Sequence, residues 1–170
     1  MSDSSFIRKL KLKDEEMFAR FFQSYKNLVF YECNNILKRR SISEDVTQEV
    51  FIEFFNNIDK LDESTNLKLY IASLAKKRAT DQYRKESKSN LNYVDHIEEY
   101  VDPQESIEID PLLTINHLLD DIEARIVSLR IIYEFPFQEI AKLINLTLGQ
   151  VQSLYYKAIK KLKKHYKKGN

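Results

Sequence analysis

The stretch Gln138–Lys164, QEIAKLINLTLGQVQSLYYKAIKKLKK, constrains the fold more than any other part of the chain. At helical period it reads as a short helix, a tight turn and a longer helix. Ile140, Ala141, Leu143 and Ile144 give the first helix one apolar side. Asn145 falls where the chain must turn, and asparagine accepts a left-handed backbone more readily than other residues with a side chain. Thr147 can cap the next helix by accepting from an orphan N–H two or three residues on. Along that helix Val151, Tyr155, Ala158 and Leu162 share one face. Gln152, Ser153, Tyr156, Lys157 and Lys160 take the other, with amide, hydroxyl and cationic groups of the kind that read base edges and hold phosphates in a major groove. The pattern is a helix-turn-helix. A lysine-rich outer face alone describes a solvated surface equally well. Turn residue, cap and one-sided charge together point to nucleic acid, and Lys157 to Lys168 brings lysines without a single carboxylate.

The remainder of the chain is also expected to be helical. Two glycines and three prolines in 170 residues are too few for the turns of an all-β fold. With 27 basic and 26 acidic side chains the net charge is only +1, so the distribution of charge carries the information and the mean does not. The lone cysteine, Cys33, rules out an internal disulfide and a cysteine-based zinc site, and its apolar neighbours make it a small buried residue. His96, His117 and His165 lie far apart. No metal or cofactor site, phosphate-cradling loop or nucleophile–base pair emerges, so an enzyme is not expected. No apolar run approaches the roughly 20 residues that span a bilayer, and the first residues lack a signal-peptide core. A cytoplasmic protein with no membrane insertion is the expectation.

In chain order, Lys11 to Arg40 reads as one helix with a broad aromatic and aliphatic stripe suited to a bundle. Ser41 to Glu44, SISE, has the spacing of a capping box opening a second helix. There Val46, Val50, Phe51, Phe54, Phe55 and Ile58 point inward, while Asp45, Gln48, Glu49, Ile52, Glu53 and Asn56 point outward. An acidic face with a bare isoleucine suits a docking surface, and taken alone it describes an ordinary exposed face as well. Asp59–Asn66 is a polar loop. A further helix from Leu67 to about Lys85 carries Lys76, Lys77, Arg78 and Arg84 among Tyr70, Gln82 and Tyr83. Cations interleaved with aromatics suit single-stranded nucleic acid, since rings stack on bases while cations hold phosphates; the helix dipole alone also favours cations near a C-terminus. Between residues 89 and 111 the periodicity lapses and acidic residues dominate, with Pro103 and Pro111 breaking any helix; this is the signature of a flexible tether. A second helical domain follows from 112, with a helix over Asp120–Tyr133 that turns Ile122, Ile126 and Leu129 inward.

Two segments give this order a family likeness. SEDVTQEVFIEFF with LKLYIASLAKKRATDQYRKE resembles region 2 of the sigma-70 family of RNA polymerase sigma factors, in the small extracytoplasmic-function (ECF) group. LDDIEARIVSLRIIYEFPFQEIAKLINLTLGQVQSLYYKAIKKL resembles region 4. The resemblance implies an all-α chain of two small helical domains, a region 2 bundle over 1–88 and a region 4 helix-turn-helix over 112–170, joined by the flexible acidic linker 89–111. It implies an alternative sigma factor with no catalysis of its own. Its partners would be core RNA polymerase (the β′ clamp helices and the β flap), promoter DNA and an anti-sigma factor. Asp45, Gln48, Glu49, Ile52 and Glu53 would dock on the basic β′ clamp helices, and Asp59–Asn66 would help hold an extruded −10 base. Tyr70, Lys76, Lys77, Tyr83 and Arg84 would bind the −10 element. Thr147, Gln150, Gln152, Ser153, Tyr156, Lys157 and Lys160 would serve the −35 element. Tyr70 stands where the family usually has tryptophan, and Lys77 where it has asparagine. The family's common G-T-V-K-S-R is Gly149-Gln150-Val151-Gln152-Ser153-Leu154, two cations short. An altered −35 preference is expected, with Gln152 on adenine or Tyr156 on a thymine methyl, since the loss of arginine removes a bidentate contact class that contributes about 1–3 kcal/mol of base discrimination. An autonomous helix-turn-helix regulator and a sigma-like interaction protein are the alternatives that the residues leave open.

Overall fold

The computed structural model of the chain describes residues 3–89 and 111–168. Among them every regular element is helical, and the chain divides into two compact units. The acidic tether expected over 89–111 lies, apart from its two end residues, outside the described residues.

The first unit contains α1 (Asp3–Lys11), α2 (Glu15–Leu37), α3 (Arg40–Asn57), a single 3-10 turn (Ile58–Lys60) and α4 (Leu67–Ser89). The expected Lys11–Arg40 helix is in fact interrupted near its start. Lys13 adopts a left-handed backbone (φ 57°), and Asp14 caps α2 by accepting from the Met17 amide at 3.1 Å. Glu15 and Glu16 then sit in the first turn, where the helix dipole favours them. A capping aspartate followed by two glutamates was the signal for this break. Lys38 (φ 56°) ends α2, and the chain reverses within two residues. For that reason α3 starts at Arg40, and Ser41–Glu44 does not form the expected capping box. Glu44 accepts from Arg40 at 2.9 Å, and the Ser43 hydroxyl turns back to Asn34 at 3.2 Å and to the Arg39 carbonyl at 2.7 Å.

Aromatic rings tie these helices together. Phe21 of α2 stacks on Phe54 of α3 with centroids 4.2 Å apart and planes 10° apart. Phe18 meets Phe55 edge-on at 3.9 Å, and Phe22 lies 4.7 Å from Phe51. Ile71, Ala75 and Ala79 bring α4 onto the same core, and α1 adds Ile7 and Leu10. Cys33 is buried there, and burial pushes its thiol up to about 12. It is a packing residue, as its neighbours in sequence implied.

The second unit holds α5 (Pro111–Leu118), α6 (Asp121–Ile131), α7 (Phe137–Ile144) and α8 (Leu148–Lys168). Pro111 begins α5 instead of breaking it, since the first position of a helix needs no N–H. Asp120 and Glu123 form a reciprocal capping box on α6. This start turns Glu123, Ala124, Ile126 and Val127 inward and leaves Ile122 42% exposed, contrary to its expected inward place; Ile126 and Leu129 are buried as expected. Asn145 does take the left-handed turn (φ 58°, ψ 45°), and the Leu146 amide closes the end of α7 on the Ala141 carbonyl at 3.1 Å. Thr147 and Gln150 cap α8 reciprocally. The Gln150 amide donates to the Thr147 hydroxyl at 3.2 Å, and the Thr147 amide donates to the Gln150 side chain at 2.9 Å.

Candidate nucleic-acid interface

The turn at Asn145 and the cap at Thr147 set α8 so that Val151 and Ala158 are fully buried, with Tyr155 and Leu162 half-buried beside Ala124 and Val127 of α6. At 3.6 residues per turn the opposite side is then fixed. Gln152, Ser153, Tyr156 and Lys160 all lie on it and are exposed. Tyr156 is 64% exposed and its ring sits 6.4 Å from that of Phe137, at the start of α7, and 5.4 Å from Tyr155. Arg130 lies over the other aromatic of this group, its guanidinium carbon 4.9 Å from the Phe137 centroid. Tyr156 therefore leans on a fixed aromatic shelf with its outer side open. Thr147 and Gln150 are exposed, but the Gln150 carbonyl oxygen is engaged in the cap. Gly149 shares the outer face, and a Cβ there would meet nothing within 4 Å in the chain. The open space is compatible with close approach of another molecule's backbone.

Lys157 departs from this row. Its ammonium lies 3.1 Å from the Glu123 carboxylate, and that of Lys161 lies 2.6 Å from the same group and 3.2 Å from Asp120. The Glu123 side chain is 1% exposed. Burial works against its charge, yet the hydrogen bonds from Lys161 and Lys157 and from the Asp120 amide outweigh burial and hold its carboxyl below the usual range. Glu123 in turn raises the Lys161 ammonium. Glu123, which pairs two of the α8 lysines, is a partner that reading the sequence missed, although the Asp120-x-x-Glu123 spacing announced its helix cap.

On α4 the candidate residues fall into two rows. Tyr70, Lys77 and Arg84 recur every seven residues and share a side, while Lys76 and Tyr83 form a flanking row. Lys77, Tyr83 and Arg84 are exposed. Lys76 is half-buried, as is Tyr70, whose ring is 6.0 Å from Phe54. Burial, and then the Glu53 carboxylate, raise the Tyr70 hydroxyl. Arg84 keeps 71% of its side chain exposed with Asp81 3.9 Å away. The loop before α4 is ordered by its own side chains. Asp62 accepts from the Ser64 amide at 2.8 Å and Asn66 from the Leu69 amide at 2.9 Å. The two bonds from Ser64 hold the Asp62 carboxyl below its ordinary value.

On α3, Asp45, Gln48, Glu49, Ile52 and Asn56 form one exposed stripe, with Ile52 61% exposed. Glu53 stands at its edge, half-buried and paired with Arg78 of α4. Among the described residues, no group of histidine, cysteine and carboxylate side chains could hold a metal, and no helix is long and apolar enough to cross a membrane.

Known proteins share these features. Residues 21–89 match the family model of sigma-70 region 2, and residues 117–164 match that of sigma-70 region 4. The ECF RNA polymerase sigma factor SigW of Bacillus subtilis is 24% identical over 174 residues, covering 93% of each chain. SigK of Mycobacterium tuberculosis, also an ECF sigma factor, is 22% identical over 167 residues, covering 92% of this chain and 89% of that one. The sigma factor RpoE of Bartonella quintana, solved with the anti-sigma factor NepR, has the same fold with a TM-score of 0.63 at 14% identity, covering 88% of this chain and 96% of that one. Sigma factors are initiation factors and not enzymes. The two sigma-70 regions, in order and on separate helical units, show that the chain belongs to the sigma-70 family and, with ECF sigma factors as its relatives over nearly the full length, is an alternative sigma factor directing transcription initiation.

Proposed function

We propose that the chain divides promoter recognition between its two units, with residues 1–88 serving core polymerase and the −10 element, 112–170 serving the −35 element, and 89–111 linking them. The α3 stripe Asp45, Gln48, Glu49 and Ile52, with Glu53 at its edge, docks on the basic β′ clamp helices, and the second unit meets the β flap. The loop 59–66 and the α4 rows Tyr70, Lys77, Arg84 and Lys76, Tyr83 take the separated −10 strand. Gln152, Ser153 and Tyr156 face bases at −35 and Lys160 faces phosphate, with Thr147 and Gln150 forming the helix start that enters the groove. Each unit alone binds weakly, and tethering on one polymerase supplies the effective concentration. The protein works in the cytoplasm, where an anti-sigma factor would hold it inactive.

The observation that carries this reading is the pair of one-sided faces, acidic and apolar on α3, cationic and aromatic on α4, within one rigidly packed unit. Lys77→Ala/Arg84→Ala tests it. In the full chain assembled with core polymerase, permanganate reactivity of −10 thymines should fall about tenfold or more as two phosphate contacts are lost, with polymerase binding unchanged. Melting equal to that of the parent would contradict the α4 assignment.

A further inference from the structure

From Lys157 onward the sequence presents lysines as one undifferentiated block, but the fold sorts them. With Tyr156 as reference and 3.6 residues per turn, Lys160, Lys163 and Lys167 stay within about 40° of it. Lys157 and Lys161 stand about 100° and 140° away, on the flank toward α6. There the Glu123 carboxylate meets both ammonium groups, Lys157 at 3.1 Å and Lys161 at 2.6 Å. Asp120 adds a second anion to Lys161 at 3.2 Å. Transferring Lys157 to a phosphate would take from one Glu123 oxygen its ion-pair partner, with Lys161 left on the other oxygen, so DNA must compete with this pairing for Lys157 and not for Lys160. Lys160, Lys163, Lys164 and Lys167 are exposed along the side of α8 that carries Tyr156, whereas Lys157, also exposed, is held in an ion pair.

We infer that Glu123 is a positioning residue for −35 recognition: it retains Lys157 and Lys161 as internal counter-charges and so fixes which face of α8 meets DNA. The cations that α8 gives to phosphate are then Lys160 and the lysines beyond it. The length of the helix agrees. Lys160 is about 18 Å along the axis from Leu148, so with the first turns of α8 in the groove and the helix set at an angle to it, Lys160 falls toward the phosphate edge. The inference rests on the −35 reading of α8 and deepens it. It removes Lys157 from the bases and phosphates where its place in the sequence put it, and makes a residue of α6 responsible for how α8 is presented.

The test is the salt dependence of binding, with the full chain on core polymerase and duplex DNA carrying or lacking the −35 element. Lys160→Gln should lower the slope of log K against log salt by about 0.9, the value of one phosphate contact, while Lys157→Gln leaves the slope at the parent value. Glu123→Gln should steepen it by a similar amount as Lys157 is released, and reduce the preference for the −35 element. A lower slope for Lys157→Gln, equal to that for Lys160→Gln, overturns the inference. If Glu123→Gln does not fold, the two lysine variants decide the matter by themselves. A parent complex indifferent to the −35 element, with Lys160→Gln also flat, overturns the −35 reading and this inference with it.

Discussion

Phe54→Ala should destabilise the first unit by about 3–5 kcal/mol, the range for removing a large buried aromatic. Phe54 is fully buried, stacks on Phe21 at 4.2 Å and faces Tyr70 at 6.0 Å, so it joins α2, α3 and α4 in one place. A loss of this size approaches the whole stability of many small domains, roughly 5–15 kcal/mol. Phe55→Ala is the internal comparison. Phe55 is half-buried and meets Phe18 edge-on at 3.9 Å, so its removal should cost about half as much. Urea unfolding of the full chain, followed by tyrosine fluorescence and by circular dichroism, reads both. A change below about 1 kcal/mol for Phe54→Ala, the ordinary size for a single substitution, would contradict the described core.

Charge reversal on α3 should have an equally large effect, on binding in place of stability. Asp45 and Glu49 are exposed and one turn apart, so Asp45→Lys/Glu49→Lys should leave the fold within about 0.5 kcal/mol of the parent. Against a basic partner surface the same change replaces two attractions by two repulsions, and like-charge contacts at an interface cost several kcal/mol. The affinity for core polymerase should therefore drop at least about a hundredfold, each 1.4 kcal/mol being tenfold. Glu53 is a less suitable probe, because its pairing with Arg78 links α3 to α4 and its loss would disturb the unit itself. Unchanged affinity of the double variant, measured by fluorescence anisotropy with an unchanged unfolding midpoint, would show that α3 does not make the docking face.

What the sequence revealed and what it hid divide by range. The turn at Asn145 and the cap at Thr147 are local chemistry, complete within a few residues, and both are present as read. The aromatic stripes of α2 and α3 were legible because helical period alone separates Phe21 and Phe54 from the exposed face. The start of α3 was misplaced because SISE has the spacing of a cap, while the left-handed Lys38 had already reversed the chain and begun the helix at Arg40. Ile122 was assigned inward by apolarity; the capping box beside it placed the buried carboxylate inward instead. The largest gap is the partition of the lysines. Glu123 holds Lys161 from 38 residues away, and no local pattern in α8 records that partner.

Whether the chain directs polymerase to promoters is read by transcription with purified core RNA polymerase on sheared genomic DNA of the source organism, with and without this chain, mapping transcript 5′ ends. A set of start sites should appear only when the chain is present and should share two upstream elements, at −10 and −35. No chain-dependent start sites, with tight binding of the chain alone to a palindromic duplex, would contradict that role and leave an autonomous helix-turn-helix regulator in its place.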